Sequence, residues 1–553
     1  MVYSEDYKKL VDAAALKDKY YEIDERVEEI CKEAFKGCDK LEEIVMPKKL
    51  KKIDSEAFQG CSSLTKLTLP DSVARIDGLA FCGCSGLTEL TLPNSVKSIG
   101  DGAFADCSGL EKITVESGNS RYDSRDNCNS IIETETNTLI AGCKNSVIPN
   151  SVTSIGNSAF CGCSGLTELT LPDNIHFIEG EAFMGCSGLT ELTLPNSVKS
   201  IGDGAFAYCS GLTELTLPNI LINIWESAFE GCSGLTELTL PNSVKSIGRY
   251  AFQGCTGLTE LTLPNSVKSI GDGAFAYCSG LTELTLPNSV KSIGDGAFAD
   301  CSGLTELTLS NSVTSIGYSA FRGCSGLTEL TLPNSVTSIG ESAFSGCSGL
   351  EKIAVESGNS CYDSRDNCNS IIDKKTNTLI AGCKYSVIPN SITSIGDSAF
   401  YDCSELTELT LPNSVMSIGR SAFSGCSGMT ELTLPSSVTR IGNSAFYGCS
   451  GLTELTLPNS VMSIGRSAFG GCSGLTELTL SNSVTSIGGY AFAYCCGLVK
   501  ITSLAEIPPV CGFKVFNGVN KTNCELIVPE GSVAAYTRAE GWNEFSNIRG
   551  FSE

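Results

Sequence analysis

The strongest constraint on this chain is a fixed spacing between cysteines. Eighteen of them, from Cys38 to Cys495, fall at intervals of 23 residues, interrupted only by two intervals of 56. Between successive cysteines almost the same sequence motif recurs, as in residues 278–301, CSGLTELTLPNSVKSIGDGAFADC. A strict period of this length is typical of solenoid proteins, in which each coil buries its apolar face against its neighbours. The period therefore predicts one elongated, strand-rich stack of about twenty coils rather than several globular domains.

One coil can be divided by its apolar pattern. In residues 281–287 leucines alternate with threonine and glutamate, which predicts a short parallel strand ended by Pro287, a residue without an amide proton. Val290 and Ile293 form a second apolar pair. In residues 295–301 an alanine, a phenylalanine and a cysteine are spaced to share one face of a single helical or 3₁₀ turn.

This phrase resembles that of the BspA-like, or Treponema-type, leucine-rich repeat. The family pattern is Leu-x-x-Leu-x-Leu-Pro, then Val-x-x-Ile-Gly, then Ala-Phe-x-x-Cys, and residues 281–301 match all three parts. The resemblance extends roughly over residues 27–501 and recurs with nearly every coil. It implies a curved, right-handed leucine-rich-repeat solenoid used for adhesion and protein binding.

The two ends of the chain depart from the repeat. Residues 1–26 are predicted to form an N-terminal helical cap, with an amphipathic helix over residues 4–17, ahead of a solenoid over residues 27–503. Residues 504–553 are similar to the closing cap of BspA-like chains. Solenoids need atypical ends because an open last coil exposes both its core and a strand edge.

Two long units, residues 107–163 and 347–403, interrupt the 23-residue period. They are near copies of each other, since residues 122–132 and 362–372 are identical. In the first, two apolar pairs flank a polar stretch over residues 133–138, which predicts a hairpin projecting from the stack.

Composition excludes several classes of partner. A net charge of −24 and a pI near 4.6 make nucleic acid an unsuitable partner, because phosphate binding needs clustered lysine and arginine. No run approaches 18 apolar residues and the charged N-terminal segment lacks a signal-peptide core, so membrane insertion is not expected. These features favour a cytoplasmic protein, whereas the family resemblance favours the alternative of a cell-surface or secreted one.

The 29 cysteines do not indicate a disulfide framework, because their spacing follows the coil. We expect the periodic cysteines to be reduced and buried as small apolar residues, in keeping with a reducing compartment. Cys82 and Cys161 depart from the repeat and are expected to lie outward, where a thiol can react.

Motifs for catalysis or metal binding are missing from the sequence. The single histidine, His176, has no catalytic phrase around it and stands at an outward position. The Cys-x-Cys pairs at residues 82–84 and 161–163 lack the spacing of a zinc site, and residues 123–129 lack the glycine and final glutamate of a calcium loop. We therefore expect no catalytic residue, cofactor or metal; an enzyme with its site in the long units or caps is the disfavoured alternative.

The regular surface of the repeat is acidic. Thirteen repeats carry a Thr-Glu pair at the start of the first strand, and Glu191 and Glu214 belong to the resulting column of glutamates. Like charges on neighbouring strands repel, which protects a sheet from edge-to-edge aggregation. The same column could instead dock a basic partner.

Departures from the repeat mark a second candidate surface. His176 stands at a position of lysine or threonine, Phe177 at one of serine, Ile222 at one of lysine and Trp225 at one of glycine. Exposed aromatic and aliphatic side chains on a polar face are candidates for protein contact, with random drift of the repeat as the alternative. The sequence thus predicts a monomeric, non-catalytic scaffold that binds a host or cellular protein or mediates adhesion. A structural or self-assembling rod is the alternative.

Overall fold

The computed structural model describes residues 1–551. The chain divides into two compact units, Met1–Leu281 and Thr282–Glu553. Within each unit the coils follow one another as a parallel β-solenoid, built from strands of two to five residues with almost no helix. The predicted strand-rich repeat solenoid is thereby confirmed.

Each regular coil contributes two short strands on different sides. The Glu–Leu strands come from the Thr-Glu-Leu-Thr phrase, and equivalent residues of successive coils pair in register, as Glu237 does with Glu260. The Ser–Ile strands come from the Val-x-x-Ile phrase and also pair in register, as Ser246 does with Ser269. Because side chains alternate across a strand, Leu238 is buried whereas the adjacent Glu237 is exposed.

The strands of the first unit are as follows. On the Ser–Ile side, one sheet contains Val2–Tyr3, Lys9–Asp12, Glu29–Ile30, Lys52–Ile53, Arg75–Ile76 and Ser98–Ile99, and a second contains Tyr122–Asp123, Ile131–Glu133, Thr138–Ala141, Ser154–Ile155, Phe177–Ile178 and Ser200–Ile201. Asn223–Ile224, Ser246–Ile247 and Ser269–Ile270 follow. On the Glu–Leu side, Tyr20–Glu22, Glu43–Val45 and Lys66–Leu67 form a sheet, and the pairs are Glu89–Leu92 with Lys112–Val115, Glu191–Thr193 with Glu214–Thr216, and Glu237–Thr239 with Glu260–Thr262. Arg125–Asn127 is a 3₁₀ helix.

The second unit repeats this arrangement. Its Ser–Ile strands are Ser292–Ile293, Ser315–Ile316 and Ser338–Ile339, then a nine-stranded sheet of Tyr362–Asp363, Ile371–Asp373, Thr378–Ala381, Ser394–Ile395, Ser417–Ile418, Arg440–Ile441, Ser463–Ile464, Ser486–Ile487 and Val510–Cys511. Its Glu–Leu pairs are Glu283–Thr285 with Glu306–Thr308 and Glu329–Leu332 with Lys352–Val355. A five-stranded sheet of Glu454–Thr456, Glu477–Leu480, Lys500–Ser503, Glu525–Pro529 and Asn547–Phe551 follows. Arg365–Asn367 and Glu530–Ser532 are 3₁₀ helices, and Val533–Tyr536 is a short α-helix.

The third side of each coil is a series of turns, so the prediction of a helical or 3₁₀ turn there was wrong. In residues 294–301, Ala297 N–H donates to Gly294 O at 3.3 Å and Cys301 N–H donates to Phe298 O at 3.4 Å. Gly296 and Asp300, the third residues of these two turns, both have a φ of +59°. Left-handed residues at this spacing prevent the turns from merging into a helix.

The core is a ladder of phenylalanines and cysteines. The Phe206 ring stacks on Phe183 at a centroid distance of 5.1 Å and on Phe229 at 5.4 Å. In the second unit Phe446 stacks on Phe423 at 5.2 Å. All eighteen periodic cysteines are buried, which confirms the predicted burial.

The N-terminal segment is a strand rather than the predicted amphipathic helix, and residues 1–26 form no helical cap. Val2–Tyr3 and Lys9–Asp12 form an antiparallel hairpin, whose second strand pairs in parallel with Glu29–Ile30. Leu10 and Ala13 are buried, and their spacing mimicked a helical face. These residues instead belong to the core of an incomplete first coil. Its main chain pairs with the next coil, as Ala13 N–H does with Ala34 O at 2.7 Å, and this pairing outweighs the local helix propensity.

Each long unit contains the predicted hairpin, but the hairpin does not project from the stack. Ile131–Glu133 pairs antiparallel with Thr138–Ala141, which then pairs in parallel with Ser154–Ile155. Ile131, Ile132 and Leu139 are fully buried. The hairpin therefore replaces part of a coil and continues the sheet. Residues 371–381 repeat this arrangement in the second unit.

At the C-terminal end, aromatic side chains cover the core. Phe516 continues the phenylalanine stack from Phe492, and Trp542 lies against Phe516 at a centroid distance of 5.1 Å. The buried polar atoms are paired, since Trp542 Nε1 donates to Pro509 O at 2.9 Å and the Tyr536 hydroxyl donates to Ala505 O at 2.8 Å. This arrangement agrees with the predicted cap, although its bounds, residues 504–553, stay a prediction.

Candidate functional site

Four exposed apolar side chains of the first unit replace serine, lysine or glycine of the repeat, and we call them the apolar patch. Their exposed fractions are 49% for Phe177, 46% for Ile220, 49% for Ile222 and 49% for Trp225. Ile220 was missed by the sequence analysis, although it stands where other repeats have serine. Three of them, Ile220, Ile222 and Trp225, lie within one coil, and clustered exposed apolar residues are candidates for a contact surface.

The members of the patch come from two coils separated by one regular coil. Lys199 N–H donates to His176 O at 2.9 Å and Lys245 N–H donates to Ile222 O at 2.8 Å, and these four residues stand at equivalent positions of successive coils. Phe177 pairs with Ser200 in the neighbouring column. Regular coils stack at about 4.8 Å and the sheet is interrupted between residues 201 and 223, so the two apolar coils lie at least about 10 Å apart. This separation is well within one protein contact surface.

His176 is half-buried rather than fully exposed. Its Nδ1 lies 3.3 Å from Ser197 O, and its ring meets Phe177 edge-on at a centroid distance of 6.4 Å. The described residues show no carboxylate hydrogen-bonded to this ring. The contacts suit a side chain that orients Phe177 rather than a catalytic base.

The Ser–Ile sheet is interrupted beside Trp225. Ser200–Ile201 ends one sheet, and Asn223–Ile224, the equivalent strand of the next coil, begins another. At the corresponding position elsewhere, Gly202 N–H donates to Ile178 O and Gly248 N–H donates to Ile224 O, each at 2.7 Å. Among the described residues no equivalent bond runs from Trp225 N–H to Ile201 O.

Close contact between coils explains why this position is usually glycine. A Cβ on Gly202 would lie 2.5 Å from Gly180 N, and one on Gly248 would lie 2.7 Å from Ile224 O. Asp77 carries a side chain here and keeps its bond to Ile53 O, so a Cβ alone is tolerated. The interruption coincides with the bulky indole, although within residues 1–551 Gly465 N–H likewise makes no hydrogen bond to Ile441 O.

The column of glutamates lies on the Glu–Leu side as predicted. Glu191 pairs in register with Glu214, and both side chains point to solvent. In three coils after residue 89 a lysine replaces the glutamate of the column. Each lysine contacts the glutamate of the preceding coil: Lys112 contacts Glu89 at 3.8 Å, Lys352 contacts Glu329 at 3.0 Å, and Lys500 contacts Glu477 at 3.0 Å. The other glutamates of the column present unneutralised charge on neighbouring strands.

The predicted reactivity of Cys82 and Cys161 is not supported. Cys161 is buried, and burial raises its pKa to about 12. Cys82 is partly buried, and burial beside Asp106 raises its pKa to about 11. Because the thiolate is the reactive form, both are poor nucleophiles at neutral pH. Cys496 is instead the exposed cysteine, and its position next to the repeat Cys495 could have indicated this.

The polar loop of the first long unit is held by its own contacts. Arg125 Nε donates to Asp123 Oδ1 at 2.9 Å, and Arg125 Nη1 donates to Asn137 Oδ1 at 3.0 Å. In residues 1–551 no cluster of three or more His, Cys, Asp or Glu side chains could hold a metal ion. Over the same residues no helix is long and apolar enough to cross a bilayer.

Comparison with known proteins relates the chain to leucine-rich-repeat proteins. The family model described as BspA type leucine-rich repeat region matches residues 16–133, 137–259, 245–371 and 370–499. No curated protein sequence matches the chain at a significant level.

Three solved structures resemble the fold. A leucine-rich cell surface protein from Faecalibacterium prausnitzii is 29% identical over 69% of this chain and 93% of its own, with a TM-score of 0.51. A leucine-rich repeat protein from Bacteroides ovatus is 27% identical over 78% of this chain and 88% of its own, with a TM-score of 0.40. The pneumococcal vaccine antigen PcpA is 22% identical over 78% of this chain and 99% of its own, with a TM-score of 0.51. Because the family model covers most of the solenoid and the coils have the expected strands, the chain belongs to the BspA-type leucine-rich-repeat family.

Proposed function

We propose that this protein is a non-catalytic scaffold that binds another protein through the apolar patch. The proposal rests on Trp225, whose side chain is half exposed and whose coil lacks one main-chain hydrogen bond to the preceding coil. An indole that is half exposed contributes little to the core, yet its coil lacks a sheet hydrogen bond that most regular coils make. A missing hydrogen bond of this kind costs about 1 kcal/mol, so stability alone does not favour tryptophan here.

The composition of the patch suits a contact surface. Aromatic residues with aliphatic neighbours dominate the central, well-packed part of protein interfaces. Lys199 and Lys245 are exposed beside His176 and Ile222 and supply charge next to the apolar centre, whereas Glu191 and Glu214 lie in the same coils on the Glu–Leu side. The surface therefore combines an apolar centre with a charged rim, as interfaces do.

The proposal extends to a position at the cell surface. The Faecalibacterium prausnitzii relative is named a cell surface protein, which supports this alternative over the cytoplasmic one. We infer a protein ligand presented to the solenoid from outside, with adhesion as the biological outcome. A monomeric chain is the form in which the patch stays free.

Substitutions that restore the repeat test the proposal. The full-length chain is immobilised, solubilised cell-surface proteins are passed over it, and the retained protein is titrated against Trp225→Gly, Phe177→Ser and Val499→Thr. Val499 is exposed in the second unit and also replaces a repeat threonine, so it is the matched control. We expect the first two substitutions to weaken binding roughly tenfold or more, because truncating a central aromatic commonly costs ~2 kcal/mol.

Two results would contradict the proposal. Equal affinity of all four chains would show that the patch arose by drift of the repeat. Concentration-dependent assembly in sedimentation velocity that Trp225→Gly abolishes would show that the patch joins copies of this chain, as in a self-assembling rod.

A further inference from the structure

The Glu–Leu strands of each unit do not form a continuous sheet. In the first unit Glu191–Thr193 pairs with Glu214–Thr216, and Glu237–Thr239 pairs with Glu260–Thr262, but the coil before Glu191 contributes no Glu–Leu strand. Where coils pair, Thr213 N–H donates to Thr190 O at 2.8 Å. The described residues show no main-chain hydrogen bond between residues 167–171 and residues 190–193.

This separation opens a cleft that we call the first seam. The cleft has a volume of about 510 Å³ and lies between residues 167–171 and residues 190–195. Glu168, Asp173 and Glu191 line it together with threonine side chains. A second seam of about 500 Å³ lies in the other unit, between residues 430–434 and residues 453–458, with Glu431 and Glu454 in the same relation.

Main-chain groups that regular coils use for pairing are left without a protein partner inside these seams. In a closed strand pair Thr259 N–H donates to Thr236 O at 2.9 Å, whereas Thr190 N–H makes no such bond to Thr167 O. Residues 167–171 donate and accept no main-chain hydrogen bond among the described residues. An unpaired strand edge is the usual acceptor of an extended peptide, which adds to it by main-chain hydrogen bonds.

The negative charge of the seams favours a basic ligand. No lysine or arginine of the described residues forms an ion pair with Glu168, Glu191, Glu431 or Glu454, although Glu329 and Glu477 of the same column contact lysines. An extended segment carrying arginine or lysine can pair its backbone with the strand edge and its side chains with both flanking carboxylates. An acidic or apolar segment would leave these carboxylates uncompensated in the cleft.

We propose that the two seams bind an extended, arginine- or lysine-bearing segment of the protein partner. This inference rests on the proposed protein-binding function and adds a second contact, on the Glu–Leu side, with a defined chemistry. The apolar patch and the seams then hold different parts of a ligand, one by apolar burial and the other by strand pairing and charge.

The test uses peptides, so it does not depend on knowing the partner. The first is a short end-capped peptide that alternates arginine with threonine. The second alternates arginine with proline, which keeps the charge but removes half of the main-chain donors. Both are titrated calorimetrically into the full-length chain, into a seam variant with Glu168→Gln, Glu191→Gln, Glu431→Gln and Glu454→Gln, and into a matched variant.

The matched variant carries the same change of charge at four glutamates of the same column that do not line the two seams, Glu237→Gln, Glu260→Gln, Glu283→Gln and Glu306→Gln. We expect the arginine–threonine peptide to bind about fivefold more weakly to the seam variant, because partly exposed ion pairs contribute up to ~1 kcal/mol in total. The matched variant should lose less than about twofold. The arginine–proline peptide should bind the unaltered chain more weakly than the arginine–threonine peptide does.

Three outcomes would overturn the proposal. They are no binding of the arginine–threonine peptide, equal loss in the two variants, and equal affinity of the two peptides. Circular dichroism of both variants excludes unfolding as the cause, since all eight glutamates are exposed. Trp225→Gly distinguishes the two proposals. It should leave the affinity for the peptide unchanged, whereas it should lower the affinity for the captured protein.

Discussion

The Sγ of Cys232 donates a hydrogen bond of 3.2 Å to the main-chain oxygen of Phe206 in the preceding coil. The same bond joins Cys209 to Phe183 at 3.2 Å, and in the second unit Cys449 to Phe423 at 3.2 Å. The periodic cysteine therefore fills the core and also gives a second hydrogen bond to a buried carbonyl, since Phe206 O already accepts from Cys209 N–H at 3.3 Å. A thiol performs this role with little cost of burial, because it is a weak donor with a small apolar body.

The buried thiols should make stability depend on alkaline pH. Burial raises the pKa of Cys61, Cys209 and Cys449 from the ordinary value of 9.0 to about 12. The folded chain then retains protons that the unfolded chain releases, so this contribution is complete below pH 9 and is lost as the pH rises towards 12. Urea unfolding at about pH 8 and about pH 10 should show a lower free energy of unfolding at the higher pH. Replacing Cys209 and Cys449 with alanine should make the decline shallower, and an unchanged decline would contradict this cause.

Thiol accessibility should follow burial rather than departure from the repeat. Cys496 is exposed, whereas Cys161 and the eighteen periodic cysteines are buried. Iodoacetamide at neutral pH should modify Cys496 first, and Cys161 only after the chain is denatured. Peptide mass spectrometry locates the label, and early modification of Cys161 would contradict the burial of its turn.

Removing one ring from the phenylalanine stack should lower the free energy of unfolding substantially. Phe206 is fully buried between two other rings, so Phe206→Ala should lower the free energy of unfolding by about 3–5 kcal/mol. Phe177 is half exposed, and Phe177→Ala should change it by less than about 0.5 kcal/mol. Chemical denaturation of both variants measures the difference, and similar losses would show that Phe177 packs into the core.

Trp225→Gly should stabilise the fold while weakening binding. Glycine allows the coils to approach and restores the bond from residue 225 N–H to Ile201 O, which contributes about 1 kcal/mol. Glycine also increases the entropy of the unfolded chain, which reduces the gain. A denaturation midpoint equal to or above that of the unaltered chain is expected. A large loss of stability would show that the indole supports its coil.

The C-terminal aromatic cluster should be necessary for solubility. Trp542 is fully buried and donates to Pro509 O at 2.9 Å. Trp542→Ala should cost about 3–5 kcal/mol and expose the end of the phenylalanine stack. Light scattering during thermal unfolding should show aggregation at a lower temperature than for the unaltered chain. Trp225→Ala is the control with the same change of residue at an exposed site.

Within a regular coil, the sequence by itself determined the period, the two strands and the inward positions of Leu, Val, Ile, Phe and Cys. These follow from local alternation and from the requirement that identical coils bury identical faces. The sequence also located the departures at Phe177, Ile222 and Trp225, because a strict repeat makes each substitution visible.

The tertiary structure decided how coils pair with one another. Residues 9–12 form a strand because the next coil offers main-chain partners, and the hairpin at residues 131–141 joins the sheet because its leucine and isoleucines complete the core. The interruption beside Trp225 and the seams beside Glu191 arise from the separation between coils. That separation reflects the packing of whole coils. The strand motif around Glu191 is the same in coils that pair and in coils that do not, so the motif alone does not predict where a seam opens.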